Sequence, residues 1–396
     1  MSTPTTVHDR IRQATAEREP RLWDVAQELH RHPELAFEEH RSAALLSKEL
    51  ESEGFTVERG VAGMETAFTA RAGNGNGPCV ALLLEYDALP GIGHACGHNL
   101  IAGAGLGAAL ALRHAIPEID GTLLVVGTPA EEGGGGKAIE VEAGVFDGVD
   151  AALMFHPGVH SWSSAPLTAQ VQYRVGFHGR AAHPTGNPTE GRDALAALIQ
   201  LFHTLAVVER RLPEGSHIQG IITEGGQATN IVPEYAEGRF GLRGLTGTRL
   251  DELIAELTRA AEGVALATGT GVDVAQVSTR YAHFRNSDVL SETFAAHLSR
   301  AGMTVGEPTP GVYLGSSDIG NVSVKVPAIH PFVAILGPDE SDHTPRFAEA
   351  AGGPAGRKAM LASAEALACT AADVLLRPEL GARAWSELRR KEAAGL

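Results

Sequence analysis

The sequence predicts an α/β fold in which a mostly parallel sheet domain carries an inserted ferredoxin-like α+β domain. Short, unbroken apolar runs alternate with helical patterns in the first part of the chain, which is typical of buried parallel strands joined by helices. In the middle, the predicted order β-α-β-β-α-β is that of a ferredoxin-like sandwich. The 396 residues also exceed the size at which one core usually stops growing. We place the sheet domain at residues 1–167 and 283–396 and the inserted domain at 168–282.

Apolar spacing predicts the elements of the first part. Helical spacing favours helices, continuous apolar runs favour buried strands, and a run of small residues favours a helix packed closely against its neighbours. Residues 30–39 contain many ligand-type side chains, but we interpret them as a proline-broken helix junction. The predicted elements are helices over 7–54 with a break at His32-Pro33, a strand pair over 56–71, a strand over 80–84, a helix over 100–114, and strands starting at Thr122 and Ala151.

Alternating apolar and polar residues, which indicate half-exposed strands, mark the inserted domain. Its predicted elements are strands over 170–177, 217–223, 235–242 and 271–281, and helices over 193–210 and 250–268. After about Asn286 the helix and strand patterns resume, with a sheet strand over 328–336 and a final helix over 349–376.

Charge and composition limit the classes of partner that we expect this protein to bind. The 32 Lys and Arg against 48 Asp and Glu give a net charge of −16, which argues against nucleic acid, because a polyanion is bound by a basic surface. The polar first 20 residues have no apolar core of a secretion signal, and the apolar stretch 100–112 is too short and glycine-rich to span a bilayer. The three cysteines suggest no disulfide framework. We therefore expect a cytoplasmic protein without a nucleic-acid or membrane partner.

Residues of types that commonly bind metals follow three of the predicted strands. They are His94, Cys96 and His98 after the first, Glu131 and Glu132 after the second, and His156 after the third. An isolated His-x-Cys-x-His could equally be a loop with a buried cysteine and surface histidines. Three such strand ends should meet at one edge of one sheet. Since thiolate, imidazole and carboxylate form the ligand set of zinc or a related transition metal, the sequence favours a metal site.

The same residues suggest separate roles as metal ligands, general base and orienting group. Two metals need more ligands than three strand ends provide, and His343, shortly after an apolar strand, is the best-placed addition. One of the adjacent pair Glu131-Glu132 would bind metal while the other acts as a base. Asp87, two residues after its strand, suits a group that orients a ligand histidine. Together they predict a hydrolase in which metal-activated water attacks a carbonyl.

Four motifs carry a family resemblance. Asp-Ala-Leu-Pro, His-Ala-Cys-Gly-His, Pro-Ala-Glu-Glu-Gly and His-Thr-Pro resemble the signatures of the aminoacylase/carboxypeptidase-type dinuclear metallopeptidases. Within that family the chain is similar to the amidohydrolase branch of auxin-conjugate hydrolases, aminobenzoyl-glutamate hydrolases and Xaa-Arg-type dipeptidases. The resemblance covers nearly the whole chain. Two departures are Asn99, where the family has Asp, and a short segment between Pro90 and His94.

The resemblance implies roles for individual residues. It implies that Glu131 is the general base, and that the inserted domain is a lid and dimerisation domain of a homodimer. It implies that His183 of this domain reaches the other subunit's site and polarises the carbonyl, and that Asn230 and Arg243 contact the carboxylate end of the substrate. The metal ligands it implies are a bridging Cys96 with His98, Glu132, His156 and His343.

The expected function is metal-dependent hydrolysis of the amide bond in a small N-acyl amino acid or dipeptide. Thiolate and imidazole ligands favour two zinc ions, with manganese, cobalt or nickel as alternatives. A metal-free small-molecule binding or regulatory protein on the same fold is a second hypothesis. A third, nucleotide binding at the glycine run before Lys137, is disfavoured because Ala138 stands where a phosphate loop has Ser or Thr.

Overall fold

The computed structural model describes residues 6–395, and the chain divides into two compact units. Unit 1 comprises Met1–Pro166 and Phe284–Leu396, and unit 2 comprises Leu167–His283. The predicted fold class is confirmed: a mostly parallel sheet lies in unit 1, and unit 2 is an inserted antiparallel α+β sandwich.

The elements of the described residues are numbered in chain order. The strands are β1 (Thr56–Arg59), β2 (Phe68–Ala72), β3 (Cys79–Glu85), β4 (Thr122–Thr128), β5 (Ala151–Leu153), β6 (His156–Gly158), β7 (Ala169–His178), β8 (His217–Glu224), β9 (Tyr235–Gly244), β10 (Gly271–Gln276), β11 (Ala328–Ile329) and β12 (Phe332–Ala334). The α-helices are α1 (Val7–Arg31), α2 (His40–Ser52), α3 (His98–Ala115), α4 (Gly136–Glu142), α5 (Ala194–Glu209), α6 (Gly247–Thr268), α7 (Asp288–Arg300), α8 (Ile319–Ser323), α9 (Pro345–Ala351), α10 (Pro354–Leu376) and α11 (Pro378–Ala393).

The main sheet of unit 1 has the order β1-β2-β4-β3-β5-β11. Strands β4, β3, β5 and β11 are parallel, and the hairpin β1-β2 adds an antiparallel edge. The apolar runs of β3 and β4 are buried, as expected of strands covered on both faces. Because Glu85 pairs with Thr128 at the end of the β3–β4 ladder, the segments that follow both strands start side by side.

Helix α3 packs closely against β3 because its side chains are small. A Cβ atom added to Gly105 would lie 2.6 Å from Leu84 Cδ1 and 3.1 Å from the carbonyl oxygen of Leu83. A Cβ atom added to Gly107 would meet Leu22 of α1 at 2.9 Å. The predicted close packing of this helix is therefore confirmed, and it fixes the helix whose first residue is His98.

The predicted strand over 328–336 is wrong in one respect, because the structure divides it. Strand β11 pairs with β5 in the main sheet, whereas β12 pairs with β6 in a separate two-stranded sheet. The break falls at His330-Pro331, where proline supplies no backbone N–H to continue the ladder. His156 consequently begins β6, with its N–H donated to the carbonyl of Pro331 at 2.9 Å, and does not end a strand of the main sheet.

The predicted final helix over 349–376 is also divided. Helix α9 ends at Ala351, and α10 begins at Pro354 after two glycines, since proline is favoured in the first turn of a helix. Helix α11, which the sequence interpretation missed, buries Leu380, Ala384 and Leu388 on one face.

Helix α10 has the length and apolar composition of a membrane span, but 83% of its most apolar window is buried inside the protein. It contacts α1, α3 and α7, and most of its alanines and Leu367 are packed in the core. A core helix of a globular unit meets the same length and composition criteria, and the burial of α10 is that of a core helix.

Unit 2 is a four-stranded antiparallel sheet in the order β10-β7-β9-β8, with helices α5 and α6. Its own core includes Phe177, Leu198, Phe240 and Leu257. Numbered within the unit, the strand order 4-1-3-2 is that of the predicted ferredoxin-like sandwich. The last strand ends at Gln276, shorter than predicted, and β8 is an exposed edge.

Candidate metal centre

Three of the predicted ligands meet at the carboxyl ends of the unit 1 strands. Cys96 Sγ lies 3.4 Å from His156 Nε2, and the ligand atoms of Cys96, His98 and His156 all lie within 4.8 Å of one another. Two overlapping groups satisfy the same criterion, namely Cys96 with Glu132 and His343, and His98 with Glu131 and Glu132. Because Cys96 belongs to two of these groups, the geometry offers two adjacent positions that share one thiol.

Both buried imidazoles are oriented by a bond to Nδ1. His98 Nδ1 donates to Asp87 Oδ1 at 2.9 Å and lies 3.0 Å from the Asp87 carbonyl oxygen. His156 Nδ1 donates to the carbonyl of Pro157 at 2.5 Å. Each ring therefore turns Nε2 towards the cluster, and His98 Nε2 has no hydrogen-bond partner among residues 6–395. A buried polar atom without a partner is costly, and a bound cation would satisfy it.

The pair Glu131-Glu132 sits on a strained turn after β4. Ala130, which precedes the pair, has a φ of 60°, a left-handed conformation that residues with a Cβ rarely adopt. Its N–H is held by Glu39 Oε1 at 2.9 Å, and the N–H of Glu132 is held by Asp87 Oδ2 at 2.9 Å. The two carboxylates are thus positioned by two other buried carboxylates, each of which accepts a main-chain hydrogen bond.

His343 reaches the cluster from the loop before α9. Its φ is 54°, and its N–H is donated to the carbonyl of Ala95 at 2.9 Å. The side chain is 50% exposed, and its Nε2 lies 3.6 Å from Glu132 Oε1. His343 is therefore the most solvent-accessible member of the cluster.

The electrostatics of the cluster favour a bound cation. Burial raises the pKa of the Cys96 thiol well above its usual value. Burial, followed by the carboxylates of Glu85, Glu132 and Asp318, raises the pKa of Glu131 in the same direction. A thiolate and several carboxylates can be ionised together in this environment only beside compensating positive charge, which divalent ions provide. The donor set therefore fits transition-metal binding.

The sequence interpretation missed a buried ionic group beside this cluster. Lys137 Nζ lies 2.6 Å from Glu85 Oε1 and 2.7 Å from Asp318 Oδ1. It also missed His330, whose two ring nitrogens are buried without a hydrogen-bond partner in the described chain and whose ring centroid lies 5.4 Å from that of His156. The available signals were the charged last residue of β3 and the lysine after the glycine run.

A second group of metal-type side chains lies in the helices of unit 1. His8, His297 and Cys369 bring their donor atoms within 4.8 Å of one another. Asp373 lies 3.0 Å from His8 Nε2 and 2.7 Å from His297 Nε2, and it also pairs with Arg377. Since these imidazoles already have a carboxylate partner, the group is satisfied without an ion.

The other predicted site residues belong to unit 2. His183 is exposed, and its Nδ1 accepts a hydrogen bond from the N–H of Gly186 at 2.9 Å. The loop of His183 is joined to the segment after Asn230 by a bond from the N–H of Val232 to the Ala182 carbonyl at 3.0 Å. Arg243 lies near the end of β9, opposite Gln170 of β7.

Comparison with known proteins identifies a family whose model covers the predicted ligands. The model of the family described as Peptidase family M20/M25/M40 matches residues 81–365, a span that contains all five predicted ligands. Over 380 residues the chain is 36% identical to the Xaa-Arg dipeptidase of Mus musculus, covering 91% of this chain and 87% of that protein. Over 274 residues it is 37% identical to one of the subunits of the p-aminobenzoyl-glutamate hydrolase of Escherichia coli K12, covering 64% and 57% of the two chains.

Solved structures share the fold. A putative aminohydrolase from methicillin-resistant Staphylococcus aureus superposes with a TM-score of 0.79 at 23% identity, covering 93% of this chain and 100% of the other. A dinuclear metal binding peptidase of the M20 family from Bacillus subtilis gives a TM-score of 0.70 at 21% identity, covering 91% and 99%. At these identities the similarity establishes the architecture.

The structure gives a reason for asparagine at position 99. Asn99 is fully buried in the first turn of α3, and its Nδ2 donates to the carbonyl oxygens of Ala26 and Ala351, both at 3.3 Å. An ionised aspartate has no donor and would place its charge against two carbonyl oxygens. The amide therefore joins α3 to α1 and α9 in a way that a carboxylate cannot.

We expect Asn99→Asp to lower the free energy of unfolding by about 1–3 kcal/mol at neutral pH, the usual cost of leaving buried polar groups unpaired. Burial raises the folded-state pKa of the new carboxyl, so the cost of its charge is absent below the unfolded pKa of about 3.9 and grows as pH rises towards the folded-state pKa. Thermal unfolding at several pH values, relative to the wild type, measures this. Asn76→Asp, at an exposed turn position, is the matched control. An equal loss in both variants, or a loss independent of pH, would contradict this explanation.

Proposed function

Since the chain belongs to Peptidase family M20/M25/M40 and is a metal-dependent amide-bond hydrolase, we propose that it cleaves a small N-acyl amino acid or dipeptide at a two-metal centre in unit 1. The observation that carries the proposal is the pair of overlapping ligand groups that share Cys96. Zinc is the metal that the thiolate and imidazole donors favour.

The chain's own residues account for metal binding. The residues that would hold the metals are Cys96, His98, Glu132, His156 and His343. Asp87 and the Pro157 carbonyl fix the rings of His98 and His156, as partners of ligand histidines commonly do. When bound, the metals supply Lewis acidity that makes water nucleophilic at neutral pH and polarises the scissile carbonyl.

Glu131 is the proposed general base. Its Oε2 lies 3.9 Å from His98 Nε2, so its carboxylate faces the same space as the ligands. Burial and neighbouring carboxylates raise its pKa, which favours proton uptake by Glu131. It takes a proton from the attacking water and transfers it to the leaving nitrogen, which leaves as an amine. Glu131 and Glu132 are adjacent, and Glu132 lies in the group with Cys96 and His343. Glu132 is therefore assigned to the metals and Glu131 to the base.

His183 is the proposed donor to the substrate carbonyl. Because its Nδ1 accepts the N–H of Gly186, the neutral ring carries its proton on Nε2. An exposed Nε2–H is a hydrogen-bond donor, which suits the carbonyl oxygen as it gains negative charge. Asn230 and Arg243 are proposed to bind the carboxylate end of the substrate, with Arg243 as the charged partner.

The names of the relatives point to one substrate class. The similar proteins include Xaa-Arg dipeptidases, an aminobenzoyl-glutamate hydrolase and an N-acetylcysteine deacetylase. Each of these names describes an acyl group joined to an amino acid through an amide. Dipeptides with a C-terminal arginine are therefore the first substrates to test, followed by N-acyl amino acids.

We also propose a homodimer formed through unit 2. The edge strand β8 exposes Ile221 and Ile222 at 63% and 46%, and α5 exposes Ile199 and Val207 at 43% and 65%. An exposed apolar edge strand is a ready template for a second strand, and two-fold dimers are the commonest oligomers. In such a dimer His183 would act on the site of the other subunit.

A substrate panel tests the proposed reaction. We expect zinc-reconstituted protein to release free amino acid from at least one Xaa-Arg dipeptide or N-acyl amino acid, measured by chromatography. Glu131→Gln should keep its metal and lose about 10²–10⁴-fold in kcat, because it removes the base. Activity within a few-fold of the wild type in that variant would place the proton transfer elsewhere. Binding of panel members without hydrolysis by metal-loaded wild type would instead favour a binding protein.

Metal content tests the ligand assignment. Cys96→Ala should lose at least one metal ion per chain in elemental analysis, because both proposed positions use its thiolate. Cys79→Ala, which removes a half-buried thiol that belongs to none of the possible metal groups, is the matched control and should retain full occupancy. Full occupancy in Cys96→Ala would remove Cys96 from the site.

Subunit mixing tests whether His183 acts on the other subunit. Glu131→Gln and His183→Ala are each expected to be inactive. Random exchange makes half of the dimers mixed, with one complete site in each, so about one quarter of the wild-type activity should return. A mixture of Glu131→Gln with a Glu131→Gln/His183→Ala chain can form no complete site and is the control. If mixed dimers form and stay inactive, His183 does not act between subunits.

A further inference from the structure

Lys137, at the end of the glycine run, is fully buried and held by two carboxylates. Its Nζ lies 2.6 Å from Glu85 Oε1 and 2.7 Å from Asp318 Oδ1. Its backbone N–H also donates to Asp318 Oδ2 at 2.9 Å. Asp318 thus fixes Lys137 at both its main chain and its ammonium group, while Glu85 contacts the ammonium group through Oε1.

The glycine run leaves Lys137 little freedom to move. A Cβ atom at Gly136 would lie 2.0 Å from the carbonyl oxygen of Pro129, and one at Gly134 would lie 2.2 Å from the ring of Phe37. At Gly134 and Gly136 the main chain before Lys137 is therefore packed too closely against its neighbours to accommodate a side chain. The ammonium group itself is held by its contacts with Glu85 and Asp318.

The carboxylates around the buried ammonium group favour its charged form. Burial alone would lower the pKa of Lys137, but the carboxylates of Asp318, Glu85 and Glu131 outweigh it and raise that pKa well above the usual value. Two short charge-assisted contacts, of 2.6 Å to Glu85 and 2.7 Å to Asp318, hold the ammonium group between the two carboxylates.

Glu85 points its other oxygen at the metal-binding atom of His98. Its Oε2 lies 3.4 Å from His98 Nε2, compared with 3.9 Å for Glu131 Oε2 and 4.0 Å for Glu132 Oε1. Asp87 already occupies His98 Nδ1, so Nε2 is the nitrogen available to a metal. Carboxylate oxygen is an accepted ligand of zinc, manganese and cobalt. Glu85 therefore has the chemistry of an additional ligand and lies beside the centre, although among the described residues its oxygens belong to none of the three ligand groups.

We propose that Lys137 is a positioning residue that holds Glu85 out of the metal coordination shell, so that the centre keeps a position open for water and substrate. The inference rests on the proposed two-metal function. Catalytic metal sites differ from structural ones in keeping such an open position, which an extra carboxylate would fill. Pairing one oxygen of Glu85 with a fixed ammonium group opposes the movement that would fill it.

The test compares three variants with the wild type: Lys137→Met, Glu85→Gln and the double variant. Lys137→Met frees Glu85 to bind, so we expect it to keep its metals and to lose about 10–100-fold in activity, the range found for partners of metal ligands. Cobalt-substituted protein should show weaker visible absorption in this variant, because a higher coordination number weakens those bands. The double variant should recover at least about tenfold over Lys137→Met, since glutamine is a poor ligand.

Each outcome separates positioning from a general structural role. If Lys137→Met loses activity only because the interior is destabilised, the double variant should be no more active than Lys137→Met. The cobalt spectrum of Lys137→Met should then match that of the wild type. Either result would overturn the proposal. If Lys137→Met fails to fold, judged by circular dichroism, Glu85→Gln decides: retention of two metals supports the proposal, and loss of one identifies Glu85 as a ligand and overturns it. If the wild type itself binds no metal, the proposed function fails, and this inference with it.

Discussion

The arrangement of the candidate metal centre depends on the carboxylate of Asp87, which joins the segments that follow two neighbouring strands. One oxygen accepts the Nδ1–H of His98, and the other accepts the N–H of Glu132. The single buried carboxylate of Asp87 thus orients the ring of His98, the first residue of helix α3, and the turn that carries Glu131 and Glu132 after β4. Because the β3–β4 ladder is parallel and in register to its last pair, Asp87 lies within reach of both. Without this bridge, the imidazole and the turn would each lose the contact that sets their direction.

Most of the fold that carries the centre could be predicted from the sequence, because burial on both faces of a sheet leaves a continuous apolar run. Strands β3 and β4 and the helix that starts at His98 follow from such runs and from small-residue content. The break at His330-Pro331 was harder to predict, since β11 and β12 together read as one apolar stretch. Proline was the available signal, and its missing N–H explains why the second half pairs with β6 instead.

The motifs led to the ligand-type residues, but not to the charges that surround them. Lys137 and Asp318 are separated by 181 residues in sequence, and no local pattern marks a lysine as fully buried. Ala130 and His343 adopt left-handed backbone conformations without being glycine, so composition gives no warning of either turn. Such strain persists only where surrounding contacts over-determine it, and here the contacts are hydrogen bonds from Ala130 to Glu39 and from His343 to the Ala95 carbonyl.

The inserted unit begins and ends on neighbouring strands. Gln170 near its start and Tyr281 near its end exchange backbone hydrogen bonds of 3.0 and 2.9 Å, so the two chain crossings enter and leave side by side. Adjacent termini are what domain insertion and circular permutation require. The host unit therefore needs only a short bridge to close its chain when the insert is excised. The junction is therefore a suitable place to remove the insert, or to replace it with another domain, by engineering.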